Sequence, residues 1–253
     1  MPVRRAGNPV VVPAEGTAKQ LKRLPLGQNN LDEGKDLRDF VAEHPDCLPV
    51  RQIDASYAPL ISLGIEVATD VGPIDCLFIS PSGMLTIVET KLWRNPEARR
   101  AVVGQIIDYA KEVARWTYSE LDGKCRKKTG VGLWDLVNKN THGGGLTDES
   151  EFIDQTSRAL NDGKFLLLIV GDGIREDMER MTAYLQAAPQ LLFSLHLVEL
   201  QIYELSNGDR LVVPQFVART AEITRAVVHV RKEFLPPHQN LWVNSGSGKA
   251  PRL

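Results

Sequence analysis

Asp75, Glu89 and Lys91 are the residues of this chain whose types and spacing can do chemistry. They lie in the stretch Val71-Gly-Pro-Ile-Asp75-Cys-Leu-Phe-Ile-Ser80-Pro-Ser-Gly83-Met-Leu-Thr-Ile-Val-Glu89-Thr-Lys91-Leu-Trp-Arg94-Asn95-Pro96. Residues 74–79 and 84–92 are rich in β-formers, and Pro81-Ser82-Gly83 reads as a three-residue turn with glycine at the left-handed position. That turn sets a register in which Ser80 pairs with Met84 and Ile79 with Leu85, so Asp75 falls directly across from Glu89. Cross-strand partners share a face, with Cβ atoms roughly 4.5–5.5 Å apart. Alternation then puts Lys91 on that face as well, two residues past Glu89, while Val88, Thr90 and Leu92 point the other way.

Two carboxylates about 5 Å apart at an effective dielectric near 20 repel by roughly 3 kcal/mol, and a hard divalent cation relieves this. Mg²⁺, or Mn²⁺ in its place, takes carboxylate and carbonyl oxygens together with waters, which Asp75, Glu89 and the backbone carbonyl of Thr90 can supply. A salt-bridged Asp, Glu and Lys at an exposed sheet edge is the other account of the same spacing.

Pro-Ile-Asp75 on one strand and Glu89-Thr-Lys91 on the next resemble the motif of the PD-(D/E)xK nuclease superfamily. Gln105-Ile-Ile-Asp-Tyr109 on the following helix is similar to the Q-x-x-x-Y motif of its RecB-type branch. The resemblance covers roughly residues 30–115. It implies an α/β fold with a restriction-endonuclease-like core, a central mixed sheet flanked by helices, and metal-dependent hydrolysis of DNA. RNA is not excluded as a substrate, and a catalytically silent nucleic-acid-binding member of the same fold is the alternative. In the implied chemistry Asp75 and Glu89 hold the metal. Lys91 orients or deprotonates the attacking water or stabilises developing charge, Gln105 positions water or phosphate, and Tyr109 sits beside the substrate backbone. The superfamily often places a further acid on its first helix near the metal; Glu33 is either that acid or the closing residue of a capping box begun by Asn30.

The elements that must position these groups follow from pattern. Leu37, Phe40 and Val41 form an apolar stripe on a first helix that stops at Pro45. A strand begins at residues 63–67 and bends through Thr69-Asp70-Val71-Gly72-Pro73 into the hairpin, with pairing weakened at Pro73, which has no N–H. Asn95 and Pro96 are good N-cap and N1 residues for a helix predicted to run to about residue 119. On it Gln105 and Tyr109, four apart, lie side by side. Residues 129–148, with three consecutive glycines from Gly143, read as a mobile loop around a short segment at Trp134. Further expectations are a helix over 149–160, a buried strand over 164–170, a helix over 177–187, and strands over 195–205 and 210–217 around Asn207-Gly208.

The 253 residues carry a net charge of −2, so the chain as a whole is not a generic polyanion binder, and nucleic-acid contact needs a local basic face. Residues 91–128 hold ten basic against five acidic side chains, and the candidates for phosphate contact are Arg94, Arg99, Arg100, Lys111 and Arg115, with Trp93, Trp116 and Tyr118 available for stacking. Cys47, Cys76 and Cys125 are scattered and show no C-x-x-C spacing, which excludes the four-cysteine cluster of some RecB-type nucleases and points to reduced thiols. With no apolar run near 18 residues and no signal-peptide pattern, no membrane association and a cytoplasmic location are expected. The organisation read here is an N-terminal arm over 1–29, loosely attached, a single domain over 30–244 and a flexible tail over 245–253. Homodimerisation is left open.

Overall fold

The hairpin expected around Gly83 is the middle of a larger sheet in the computed structural model, which describes residues 7–24, 33–92, 96–141, 148–172 and 191–216, together with Thr182 and Leu185. In chain order the elements begin with β1 (Val10–Val11), β2 (Lys19–Gln20) and β3 (Lys22–Arg23). A π-helical stretch, Glu33–Asp39, runs into α1 (Phe40–Glu43), followed by α2 (Val50–Ile53). Then come β4 (Ile61–Thr69), β5 (Gly72–Ile79), β6 (Leu85–Leu92), α3 (Pro96–Val113) and α4 (Tyr118–Thr129). The remainder is α5 (Leu133–Asn140), α6 (Glu149–Asp162), β7 (Phe165–Asp172), β8 (Ser194–Glu204) and β9 (Arg210–Phe216). All of these lie in one compact unit, Met1–Ile223.

The main sheet has the order β3-β8-β7-β6-β5-β4, with β9 also paired to β8. Strands β4, β5 and β6 form an antiparallel meander, β6, β7 and β8 are parallel, and β9 returns antiparallel. This is a mixed α/β architecture, a central mixed sheet flanked by helices, as the pattern predicts. The run from Phe165 to Val170 is fully buried, because a central parallel strand is covered on both faces. One face packs Leu77, Ile79, Leu85 and Ile87 against Val102, Ile106, Tyr109 and Val113 of α3. The other packs Cys76, Phe78, Val88 and Leu92 against Leu37 and Val41 of the first helical segment. Each large aliphatic side chain buried in this way contributes about 1.5–3 kcal/mol relative to exposure.

The register follows the turn. Ile79 pairs with Leu85 and Cys76 with Val88, and the Ser80 amide donates to the Met84 carbonyl at 2.9 Å. Gly83 has φ +72°, and a Cβ there would lie 2.6 Å from Thr156 Oγ1 and 2.9 Å from its backbone nitrogen, so only glycine lets the turn meet α6. Pro73 does not interrupt β4–β5 pairing; it sits opposite Ala68.

Three expectations are corrected. The helix predicted to reach about residue 119 ends at Val113, because Thr117 begins a new one: its hydroxyl accepts from the Glu120 amide while Glu120 accepts from the Thr117 amide, a complete capping box. The predicted mobile loop over 129–148 contains α5, whose Leu133 and Val137 are fully buried. Within the stretch read as a loosely attached arm, β3 pairs with Tyr203 and Glu204 of β8, Leu21 is buried, and Arg23 bonds both Asp172 and Glu199. Residues 142–147, the helix predicted over 177–187 apart from Thr182 and Leu185, and the tail over 245–253 lie outside the described residues.

At the β4 border, α4 runs along the outermost strand. Lys124 Nζ donates to the Ala68 carbonyl at 2.7 Å and lies 4.3 Å from the centre of the Trp116 ring, while a Cβ on Gly64 would lie 2.9 Å from Lys128 Cβ. No helix among the described residues is long and apolar enough to cross a membrane.

Candidate active site

The C-terminal end of β6 gathers side chains from four elements. β6 brings Glu89, Thr90 and Lys91, β5 brings Asp75, the π-helical stretch brings Glu33, and α3 brings Gln105 and Tyr109. Pairing of β5 with β6 stops at Cys76 and Val88, one pair short of Asp75 and Glu89. Asp75 therefore does not stand across from Glu89 as a regular ladder partner. Its Oδ2 accepts two hydrogen bonds from Thr90, from the backbone amide at 2.8 Å and from the hydroxyl at 2.6 Å. Thr90, expected to contribute only a carbonyl, is buried and gives the acid both of its donors.

Glu89 is 4% exposed, and its Oε2 is buried with no hydrogen-bond partner among the described residues. A buried carboxylate oxygen without a donor costs desolvation that nothing offsets. Burial is the main reason the Glu89 carboxyl is pushed up to about 8; the charge of Asp75 adds to it, Lys91 opposes it, and Glu33 adds again. The shift favours the protonated form of this carboxyl.

Lys91 does not turn to Glu89. Its ammonium donates to Glu33 Oε1 at 2.7 Å, and the Leu92 amide donates to Glu33 Oε2 at 2.7 Å. Both Glu33 oxygens are used at the end of β6, and Asn30, the start of the expected capping box, lies outside the described residues. Gln105 and Tyr109 are joined as their spacing requires, with Gln105 Nε2 donating to the Tyr109 hydroxyl at 2.8 Å and that hydroxyl donating to the Pro73 carbonyl at 2.7 Å. The Tyr109 ring is 1% exposed, so this residue is a strut between α3 and the start of β5 rather than a surface for a substrate to lie against. Burial raises its pKa, the bond from Gln105 opposes the rise, and Glu89 and Asp75 add to it, so the phenol lies in the field of both acids.

Glu89 Oε2 has no hydrogen-bond partner among the described residues, and both bonds from Thr90 fall on a single oxygen of Asp75. Among the described residues no three of His, Cys, Asp or Glu are grouped so that they could hold a metal ion. Both oxygens of Glu33 are occupied, by Lys91 and the Leu92 amide.

No family model, no curated protein and no solved structure matches the chain.

Of the expected phosphate contacts, Arg94 lies outside the described residues, and Arg99 and Arg100 occupy the first turns of α3, with side chains also outside them. Lys111 is exposed and pairs with Asp108 at 2.7 Å, and Arg115 is exposed just beyond α3. Trp116 is 7% exposed within the core, and Tyr118 packs edge-on against Phe152, so neither is a free stacking platform; Trp93 lies outside the described residues. Sequence reasoning missed the Thr90 side chain and the pair of Arg38 with Glu66 at 2.5 Å. A β-branched hydroxyl residue between the two motif positions was the available signal for Thr90, and nothing in the sequence marks Glu66.

Proposed function

We propose that this protein is a metal-dependent nuclease that hydrolyses DNA phosphodiester bonds, with a restriction-endonuclease-like core and its active site at the end of β6. The observation that carries the reading is the buried Glu89 carboxyl, one oxygen of which has no donor among the described residues, beside Asp75 and next but one to Lys91. A carboxyl buried in this way marks a functional-site candidate, and a bound cation is the counter-charge that would relieve it.

A Mg²⁺ or Mn²⁺ ion held by Asp75, Glu89 and the Thr90 carbonyl would supply Lewis acidity, lowering the pKa of water and offsetting phosphate charge. The chain's own residues do the rest. Thr90 aims Asp75 by donating twice to one of its oxygens. Glu33 holds the Lys91 ammonium at the strand end, where it orients the attacking water or meets the charge that develops on the phosphate. Gln105, exposed and bonded to Tyr109, positions water or phosphate through its amide. Basic residues of α3, with Arg99 and Arg100 at its start, guide the nucleic-acid backbone.

The test is incubation of purified protein with single-stranded, double-stranded and branched DNA, and with RNA, with and without Mg²⁺ or Mn²⁺. Cleavage of DNA that needs metal and is lost in Glu89→Ala supports the proposal. Metal binding without cleavage of any substrate would support a silent nucleic-acid-binding protein instead, and cleavage of RNA alone would change the substrate while keeping the chemistry.

A further inference from the structure

Three irregularities meet behind Asp75. The helical stretch that carries Arg38 is π-type, a form that recurs at functional sites. Glu66 on β4 has φ +48°, in the left-handed region that side chains other than Gly, Asn and Asp rarely adopt. Its neighbours Ile65 and Val67 pair with Cys76 and Ile74, so Glu66 and Asp75 occupy the same level of the two strands. Ile65 and Cys76 pack on the face of Leu37 and Val41, whereas Val67 and Ile74 pack on the face of α3. Residues two apart on a strand ordinarily share a face. Both strands therefore turn over at this level, and the turnover takes Asp75 out of the ladder and sends its carboxylate to Thr90.

Arg38 Nη1 donates to Glu66 Oε1 at 2.5 Å, and Arg38 Nε donates to Asp39 at 2.9 Å. The guanidinium is 18% exposed while the Glu66 side chain is 57% exposed, so the arginine is the fixed member and the glutamate is drawn to it. Burial works against the charge on Arg38, but Asp39, Glu66 and, behind them, Asp75 outweigh it and hold its pKa above the ordinary value.

We infer that the Arg38–Glu66 pair is a positioning device for the Asp75 carboxylate, fixing the left-handed turn of β4 that aims Asp75 at Thr90 and at the cation position. Arg38 touches neither the reacting groups nor the metal in this account; it acts through Glu66 and the strand. The metal part of the inference rests on the nuclease proposal, and the Asp75–Thr90 geometry does not.

The experiment follows the Thr90 amide by NMR in metal-free protein and Mg²⁺ affinity by calorimetry. Arg38→Ala should shift the Thr90 amide upfield and speed its exchange, and should weaken Mg²⁺ binding roughly 10- to 100-fold. Simple charge deletion predicts the reverse for the metal, since removing a cation near Asp75 favours another cation. Adding Glu66→Gly to Arg38→Ala should restore both readouts, because glycine adopts the left-handed turn without a clamp. If Arg38→Ala does not fold, Glu66→Gln, which keeps a neutral acceptor, should move the Thr90 amide the same way by less, and Glu66→Gly alone should leave it in place. A Thr90 amide unmoved by Arg38→Ala, or moved and not restored by Glu66→Gly, overturns the inference. A parent protein that binds no Mg²⁺ but shows the Thr90 pattern removes the metal reading and upholds the positioning role.

Discussion

The Lys91 ammonium lies 2.7 Å from Glu33 Oε1, while Glu89, two residues back on the same strand, keeps an oxygen with no donor among the described residues. The cation of the β6 motif is therefore committed to an acid from the first helical stretch and not to the acid nearest to it in sequence.

Glu89 makes stability pH-dependent in a defined direction. Its carboxyl titrates near the ordinary acidic value when unfolded and is pushed up to about 8 when folded. Between these values the unfolded chain binds fewer protons than the folded one, so stability falls as pH rises through that window, by at most about 5 kcal/mol. Thermal melts from pH 5 to 9 in chelator should show the fall, and Glu89→Gln should flatten it. Equal slopes for the two proteins would mean that another group is responsible.

Metal binding and turnover should separate by mutation. Glu89→Ala should abolish both, Asp75→Asn should reduce the rise in melting temperature on adding Mg²⁺, and Lys91→Ala should abolish single-turnover cleavage while leaving Mg²⁺ affinity unchanged or improved. A Lys91→Ala protein cutting at the parental rate would sink the assigned mechanism.

Tyr109→Phe keeps the buried ring but leaves the Pro73 carbonyl without its donor and Gln105 without its acceptor. A loss of about 1–3 kcal/mol is expected in urea denaturation. Gln105→Ala should cost little stability and roughly 10²-fold in cleavage. The opposite ranking, with Gln105→Ala the more destabilising, would show that the strut runs through Gln105.

If the start of α3 faces phosphates, DNA affinity should fall with salt, and Arg99→Ala or Arg100→Ala should lessen the slope. Lys111→Ala should alter it less, because Lys111 already pairs with Asp108. Binding indifferent to salt would detach nucleic acid from this face.

Gly83→Ala tests the fold itself. Its Cβ would meet the Thr156 hydroxyl and backbone, and alanine is strained at φ +72°. Destabilisation of about 2 kcal/mol or more is expected by chemical denaturation, and a neutral outcome would place the turn away from α6.

How much of this was legible in the sequence depended on the range of the interaction. Pro81-Ser82-Gly83 sets a local turn, so the register from Ile79–Leu85 to Cys76–Val88 could be read by counting. The apolar run of β7 and the Asn207-Gly208 turn before β9 are local signals too. The break between α3 and α4 was written in Thr117 and Glu120, but the apolar face of α3 continues in phase across it and masks the cap. α5 was hidden by the glycines that follow it. The destination of the Asp75 side chain was not legible, since it depends on a turnover at Glu66, a residue type with no preference for that conformation. The partnership of Glu33 with Lys91 joins residues 58 positions apart, and only the packed fold brings them together.

The helix laid along β4 has a consequence for assembly. An outermost strand is where another chain's strand can dock and continue a sheet, but here the Ala68 carbonyl is already taken by Lys124, and Lys128 is pressed against Gly64. A second molecule seeking to add a strand at this border would first have to peel α4 away with Leu121 and Cys125, both buried in the core. Among the described strands, adding one at β4 would thus break the bond of Lys124 to Ala68 and displace Lys128 from Gly64.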